Sequence, residues 1–149
     1  MILLAHLLLG AAIGTAVKNP ILAVILALLS HYLLDLLPHI EYPIENIKQK
    51  QWHKARKDFF KVAVDIISGI ILILLFSKNY PIIYICAFFA ILPDGFSLLS
   101  LTFPNKIFSK HDYFHTKKVH HLKDKKISRF WRIYIQVVLV VIFLIALKF

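Results

Sequence analysis

The sequence predicts an all-α integral membrane protein, a bundle of about five short transmembrane helices with its N-terminus inside and its C-terminus outside the cell. Of its 149 residues, 59% are hydrophobic, and the mean hydropathy is +0.72, which exceeds what soluble domains usually show. The apolar residues form five stretches, and lysine and arginine residues concentrate between them. The length suits one transmembrane domain that comprises residues 1–149.

The predicted spans cover residues 2–17, 21–37, 59–76, 80–103 and 130–148. The first two are short, because a helix needs roughly 20 apolar residues to cross about 30 Å of hydrocarbon. They form either a tight spanning hairpin or a re-entrant pair, and the charge distribution described below favours spanning. The fourth stretch is interrupted by Pro93-Asp94-Gly95, a sequence typical of turns.

The basic residues predict the orientation of the bundle. All but three of the 18 lysine and arginine residues lie in two predicted loops, 38–58 and 104–129, or in the first turns of the spans that follow. The exceptions are Lys18, Lys78 and Lys148. With five spans both loops lie on one side of the membrane, which is the cytoplasmic side because basic loops are retained there. The predicted location is the inner (plasma) membrane.

The formal net charge of +10 is explained by these loops, so we predict no nucleic-acid partner. Basic segments beside a membrane instead predict lipid headgroups as partners. The single cysteine, Cys86, excludes a disulfide within the chain. Gly10 and Gly14 permit close approach of another helix, which is compatible with a homodimer.

Ionisable residues inside the predicted spans are the main functional signal. Each costs about 2.5–3.5 kcal/mol at the centre of a membrane helix, so it needs a reason to be there. All of them lie toward the cytoplasmic end of their spans, so we expect them to converge in one leaflet. They are His6, His31, Asp35, Asp65 and Asp94.

His31, Asp35 and His39 follow one another at intervals of four residues. On a helix this spacing places side chains on one face, and imidazole and carboxylate groups arranged in this way bind one metal ion or two neighbouring ions. Pro38 is expected to kink or end the helix, which leaves the placement of His39 open. Glu41 offers a further oxygen. The alternative for His31 and Asp35 is a hydrogen bond between helices.

A second group of histidines lies in the later basic loop, where His111 and His115 have the spacing of neighbours on a helix and His120-His121 follows. A headgroup-facing loop explains His120 and His121 equally well. We predict a divalent ion, zinc, manganese or iron, with Asp94 and His115 as catalytic residues; for Asp94 a turn is the alternative. The predicted metal ligands are His6, His31, Asp35, His39, Asp65, His111 and His115.

Several of these motifs resemble those of a family of small bacterial and archaeal inner-membrane proteins described as membrane-bound metal-dependent hydrolases. They are Ala5-His6-Leu7 with Gly10 and Gly14, His31-Tyr32-Leu33-Leu34-Asp35, and Leu37-Pro38-His39-Ile40-Glu41-Tyr42-Pro43. The resemblance is best over the first 45 residues, and it implies a metal site and hydrolase activity. His39 and Glu41 stand where the family usually has two aspartates, a change that can alter the preferred metal.

Three functions remain open from the sequence. The first is a metal-dependent hydrolase that cleaves a phosphoester of a lipid or lipid-like molecule at the cytoplasmic leaflet. The second is a membrane di-iron oxidase or desaturase, which the spacing of His111, His115 and His120-His121 faintly suggests, although such sites use more histidines. The third is a non-catalytic scaffold or anionic-lipid binder, in which buried polar groups hold helices together at about 0.6 kcal/mol per hydrogen bond.

Overall fold

The computed structural model describes residues 1–41, 45–49, 51–103, 105–119 and 127–149; for Glu45, Lys48 and Thr102 it describes the backbone alone. Within these residues the protein is all-helical, without a strand, as the sequence predicts. The helices are α1 (Leu3–Ala16), α2 (Pro20–Asp35), the single turn α3 (Glu45–Lys48), α4 (Trp52–Phe76), α5 (Pro81–Thr102), α6 (Lys106–Lys117) and α7 (Arg129–Ala146).

Three of these helices are long and apolar enough to cross a membrane, namely α4, α5 and α7. The prediction of an all-helical fold is confirmed, and these three helices are consistent with a membrane protein. α1 and α2 have 14 and 16 residues, and at about 1.5 Å per residue they are shorter than a hydrocarbon core of about 30 Å. The count of five spans and the orientation of the bundle therefore stay predictions.

α1 is the central helix of the bundle and packs against α2, α4, α5 and α7. Its closest approach is to α5, where a Cβ atom added to Gly10 would lie 2.6 Å from the Cβ of Ala90. One added to Gly14 would lie 2.9 Å from the Cα of Ile83, so the two helices run antiparallel. Both glycines therefore allow the close contact between α1 and α5 of the same chain.

The helices alternate in direction, so the ionisable residues meet at one end of the bundle. At this end the backbone N–H of Leu4 on α1 donates to Asp65 on α4, and Gln136 on α7 donates to the carbonyl of Ile40. At the opposite end Lys148 lies over the ring of Phe76. The chain connects α2 to α4 and α5 to α7 at the first end, so the two basic segments belong to the same end as the polar cluster.

Three details differ from the sequence prediction. α4 begins at Trp52 rather than at residue 59, and the predicted loop 104–129 contains the helix α6. α5 runs without a break through Pro93-Asp94-Gly95, so the predicted interruption, and with it the turn alternative for Asp94, is wrong. Pro93 is fully buried, and Gly95 has a negative φ. Packing against the neighbouring helices thus outweighs the local turn preference.

Candidate metal centre

Four side chains from three helices converge at the basic end of the bundle. They are His31 and Asp35 of α2, Asp94 of α5 and His115 of α6, and each offers one donor atom such that all four lie within 4.8 Å of one another. His31, Asp35 and His115 are buried, whereas the carboxylate side chain of Asp94 is 30% exposed. This group could hold a metal ion, and the site would be accessible to solvent on the side of Asp94.

α2 positions His31 and Asp35 in its last two turns, where the i, i+4 spacing brings Nε2 of His31 to 3.1 Å from Oδ2 of Asp35. Asn105 caps the N-terminus of α6, where its side chain accepts a hydrogen bond from the N–H of Ile107. This helix brings Nε2 of His115 to 3.0 Å from the same oxygen of Asp35. Oδ1 of Asp94 lies 3.7 Å from Nε2 of His31 and 4.0 Å from Nε2 of His115. Two ligands of a tetrahedral zinc ion lie about 3.3–3.6 Å apart, so the His31, Asp35 and His115 atoms are slightly closer together than in such a site and Asp94 is slightly farther away.

The ring of His31 is oriented as in a metal-binding histidine. Its Nδ1 lies 2.7 Å from the backbone carbonyl of Ala90, and because a carbonyl only accepts, Nδ1 carries the proton. In the neutral ring Nε2 therefore presents a lone pair to Asp35. A backbone carbonyl that fixes the tautomer in this way is the usual partner of a ligating histidine.

His115 has a corresponding support. Its Nδ1 lies 3.2 Å from the hydroxyl of Ser97, while its Nε2 lies 3.0 Å from Nε2 of His31. Two ring nitrogens and a carboxylate oxygen thus face one another in a buried space. The lone pairs of these atoms can be satisfied by shared protons or by a bound cation. A cation has the advantage that it contacts all of the atoms at once.

His6 and His39 lie on the other side of Asp35. Nε2 of His6 is 3.2 Å and Nε2 of His39 is 3.8 Å from Oδ1 of Asp35. The ring of His6 also stacks on that of His31, with centroids 4.1 Å apart. The amino nitrogen of Met1 contacts the same oxygen at 2.5 Å. α2 ends at Asp35, so His39 reaches the cluster from the segment after the helix and not from a shared helical face.

Asp65 and His111, which the sequence also predicts as ligands, lie outside the group of four. Oδ2 of Asp65 accepts the N–H of Leu4 at 2.9 Å, and Nε2 of His111 lies 3.0 Å from the hydroxyl of Tyr32. Burial, and then the neighbouring His115, lower the pKa of His111 below its ordinary value. His120 and His121 fall outside the described residues.

Sequence reasoning missed the residues that orient the ligands. Tyr32, Ser97 and the carbonyl of Ala90 contact His111, His115 and His31. The position of the Ala90 carbonyl cannot be predicted from the sequence, because every residue has a backbone carbonyl. Gln136, which is buried and donates to the Ile40 carbonyl at 3.0 Å, did carry a signal, since an amide is out of place in an apolar helix.

The fold and the site define an all-helical protein that has three helices long and apolar enough to cross a membrane and a largely buried histidine and aspartate cluster that could hold a metal ion. Comparison with models of protein families, with curated proteins and with solved structures gives no match for this chain. The resemblance to membrane-bound metal-dependent hydrolases accordingly stays a prediction that depends on the motifs of the sequence.

Proposed function

We propose that this protein is a membrane-embedded, metal-dependent hydrolase that cleaves a phosphoester of a lipid or lipid-like substrate at the cytoplasmic leaflet. The observation that carries the proposal is the group of His31, Asp35, Asp94 and His115, whose donor atoms lie within 4.8 Å of one another and in which a backbone carbonyl orients the His31 ring. Imidazole and carboxylate are the donor types that zinc, manganese and iron accept.

The position of the cluster supports a substrate from the membrane surface. It lies where the membrane helices end and where the chain carries most of its basic residues. Four lysines in and just after α6 are exposed to bind an anionic headgroup. They are Lys106, Lys110, Lys117 and Lys118.

The residues divide into two roles. His31, His115 and Asp35 would hold the ion, which would supply Lewis acidity and lower the pKa of a bound water. Asp94 has an exposed carboxylate on the open side of the group, where it receives a proton from water or orients the substrate. The ring of His111 stacks on that of His115 with centroids 5.7 Å apart and contacts the hydroxyl of Tyr32, and it would transfer a proton to the leaving oxygen.

The first test is the metal content of the detergent-purified protein, measured by elemental analysis for the wild type and for Asp35→Asn. We expect at least one zinc, manganese or iron ion per chain in the wild type and its loss in the variant, because the Asp35 carboxylate contacts both His31 and His115. Asp112→Asn is the matched control, since Asp112 lies on α6 and accepts a hydrogen bond from Thr116. Absence of metal after reconstitution with excess ions contradicts the proposal.

The second test concerns the substrate. The wild type with its metal is assayed for phosphate or headgroup release from phosphatidic acid and a phospholipid in vesicles, and from a water-soluble phosphomonoester. We expect the wild type to release phosphate or headgroup from the lipids. If Asp94→Asn keeps its metal but no longer releases product, Asp94 takes part in the reaction. Metal-bound protein that hydrolyses none of them contradicts the hydrolase. Oxygen consumption by an iron-loaded protein would favour the oxidase instead.

A further inference from the structure

We infer a second metal subsite on the other oxygen of Asp35, so that this carboxylate bridges a pair of ions. Oδ2 of Asp35 faces His31 and His115, whereas Oδ1 faces His6 and His39. Glu41 completes the second group, because its Oε1 lies 3.3 Å from Nε2 of His39. This inference rests on the proposed metal centre and extends it.

His39 has the same orientation as His31. Its Nδ1 lies 2.6 Å from the carbonyl of Leu37, which only accepts, so this nitrogen carries the proton. In the neutral ring Nε2 would turn a lone pair toward Oε1 of Glu41 and Oδ1 of Asp35, whereas a doubly protonated ring would donate from Nε2 to Glu41. A lone pair between two carboxylates is favourable only when a proton or a cation lies between them. The tautomer of each histidine is thus set by a backbone carbonyl, one on each side of Asp35.

His6 supplies an independent observation. Its side chain is fully buried in the central helix α1, and neither of its ring nitrogens has a hydrogen-bond partner. Nε2 nevertheless lies 3.2 Å from Oδ1 of Asp35, which is within ion-pair distance but lacks hydrogen-bond geometry. Burial of an imidazole without hydrogen-bond partners is unfavourable, and a metal ion beside Oδ1 would provide a partner for Nε2.

Residues of α7 hold the second group in place. Gln136 donates to the carbonyl of Ile40 and Arg132 to that of His39, so the backbone that carries the His39 ring is fixed at two consecutive residues. The Met1 ammonium forms an ion pair with Oδ1 of Asp35 at 2.5 Å, so a metal ion in the second subsite would have to displace it from this oxygen.

A carboxylate-bridged pair suits the proposed substrate class. In two-metal phosphoester hydrolases the ions lie about 3.5–4 Å apart and stabilise the attacking and the leaving oxygens. With one ion on each oxygen of Asp35, the phosphoryl group would be held between the two subsites. A bridged pair of ions is therefore compatible with the phosphate ester proposed as substrate.

The test is the number of Mn²⁺ ions bound per chain after loading the metal-free protein and removing excess ion, together with the electron paramagnetic resonance spectrum. We expect two ions and an exchange-coupled spectrum in the wild type. His39→Gln and Glu41→Gln should each leave one ion with the spectrum of isolated Mn²⁺, because His31, His115 and Oδ2 of Asp35 remain. His53→Gln, which changes an exposed histidine on α4, should keep both ions.

The outcomes separate this inference from the proposed function. One ion in the wild type that persists in His39→Gln and is lost in His115→Gln overturns the second subsite and leaves the metal centre intact. No ion in the wild type overturns both. Circular dichroism of each variant shows whether its helices are retained. Glu41→Gln changes a side chain that is 27% exposed and lies outside the helices, so it tests the second subsite without altering the helical core.

Discussion

The backbone N–H of Leu4 donates to Oδ2 of Asp65 across 2.9 Å, so a carboxylate of α4 caps the first turn of α1. The N-terminal turn of a helix has N–H groups without partners inside the helix, and a carboxylate satisfies them and complements the helix dipole. This contact explains an acidic residue in the predicted third span without assigning it to the metal.

Replacing Asp65 should reduce stability and spare metal binding. Asp65→Ala removes the acceptor of the Leu4 N–H, and loss of a cap costs about 0.5–2 kcal/mol of unfolding free energy. Thermal unfolding in detergent measures the loss, and elemental analysis should find the wild-type metal content. Asp65→Asn keeps an acceptor and should recover part of the stability. A folded Asp65→Ala protein without metal would restore Asp65 as a ligand.

Two glycine substitutions should have opposite effects on stability. A Cβ at Gly10 meets Ala90 and the Cys86 carbonyl at 2.6 Å, so Gly10→Ala should separate α1 from α5 at a cost of about 1–3 kcal/mol. A Cβ at Gly95 meets nothing within 4 Å, so Gly95→Ala should stabilise α5 by about 0.5–1 kcal/mol. Unfolding midpoints of the two variants check this, and equal shifts would contradict the close α1–α5 contact.

Ser97 should act on the metal through His115. Its hydroxyl lies 3.2 Å from Nδ1 of His115, and loss of such an outer contact typically lowers metal affinity about 10–100-fold. Competition with a chelator measures the affinity of Ser97→Ala, which Ser97→Thr should restore. Ser68→Ala is the control, because that hydroxyl donates to the Val64 carbonyl of its own helix. An unchanged affinity in Ser97→Ala would remove Ser97 from the site.

Gln136 should affect the second metal ion selectively. Gln136→Leu leaves the Ile40 carbonyl without its 3.0 Å donor and frees the segment that carries His39 and Glu41. We expect weaker binding of one Mn²⁺ ion and unchanged binding of the other, which serves as the internal control. Calorimetric titration resolves the two binding steps. Equal weakening of both would indicate a general loss of structure.

The orientation of the bundle can be tested with single cysteines in a Cys86→Ala background. Lys78→Cys lies at the turn between α4 and α5, and Lys110→Cys lies on α6 at the site end. Lys110 is exposed, and Lys78 lies in a short turn outside the helices. A membrane-impermeant maleimide should label Lys78→Cys in intact cells. It should label Lys110→Cys only after the membrane is permeabilised. The reverse pattern would place the site outside the cytoplasm.

The apolar stretches predict the long helices well because length and hydropathy are local properties of the chain. The continuity of α5 through Pro93 was not predictable, since burial of that ring depends on helices distant in sequence. The approach of His39 to Asp35 around Pro38 is likewise a tertiary contact. His31 and Asp35 were visible from their spacing on one helix, whereas the carbonyls of Ala90 and Leu37 that orient the histidines leave no trace in the sequence.

The central position of α1 has a consequence for biosynthesis. α1 is translated before α4, α5 and α7, three of the four helices that surround it. His6 is therefore synthesised before α4, α5 and α7, the helices that later pack around α1. We expect the α1–α2 pair to settle into the bundle late, after the longer helices have been inserted, so that assembly of the polar cluster is among the last events in the maturation of the chain.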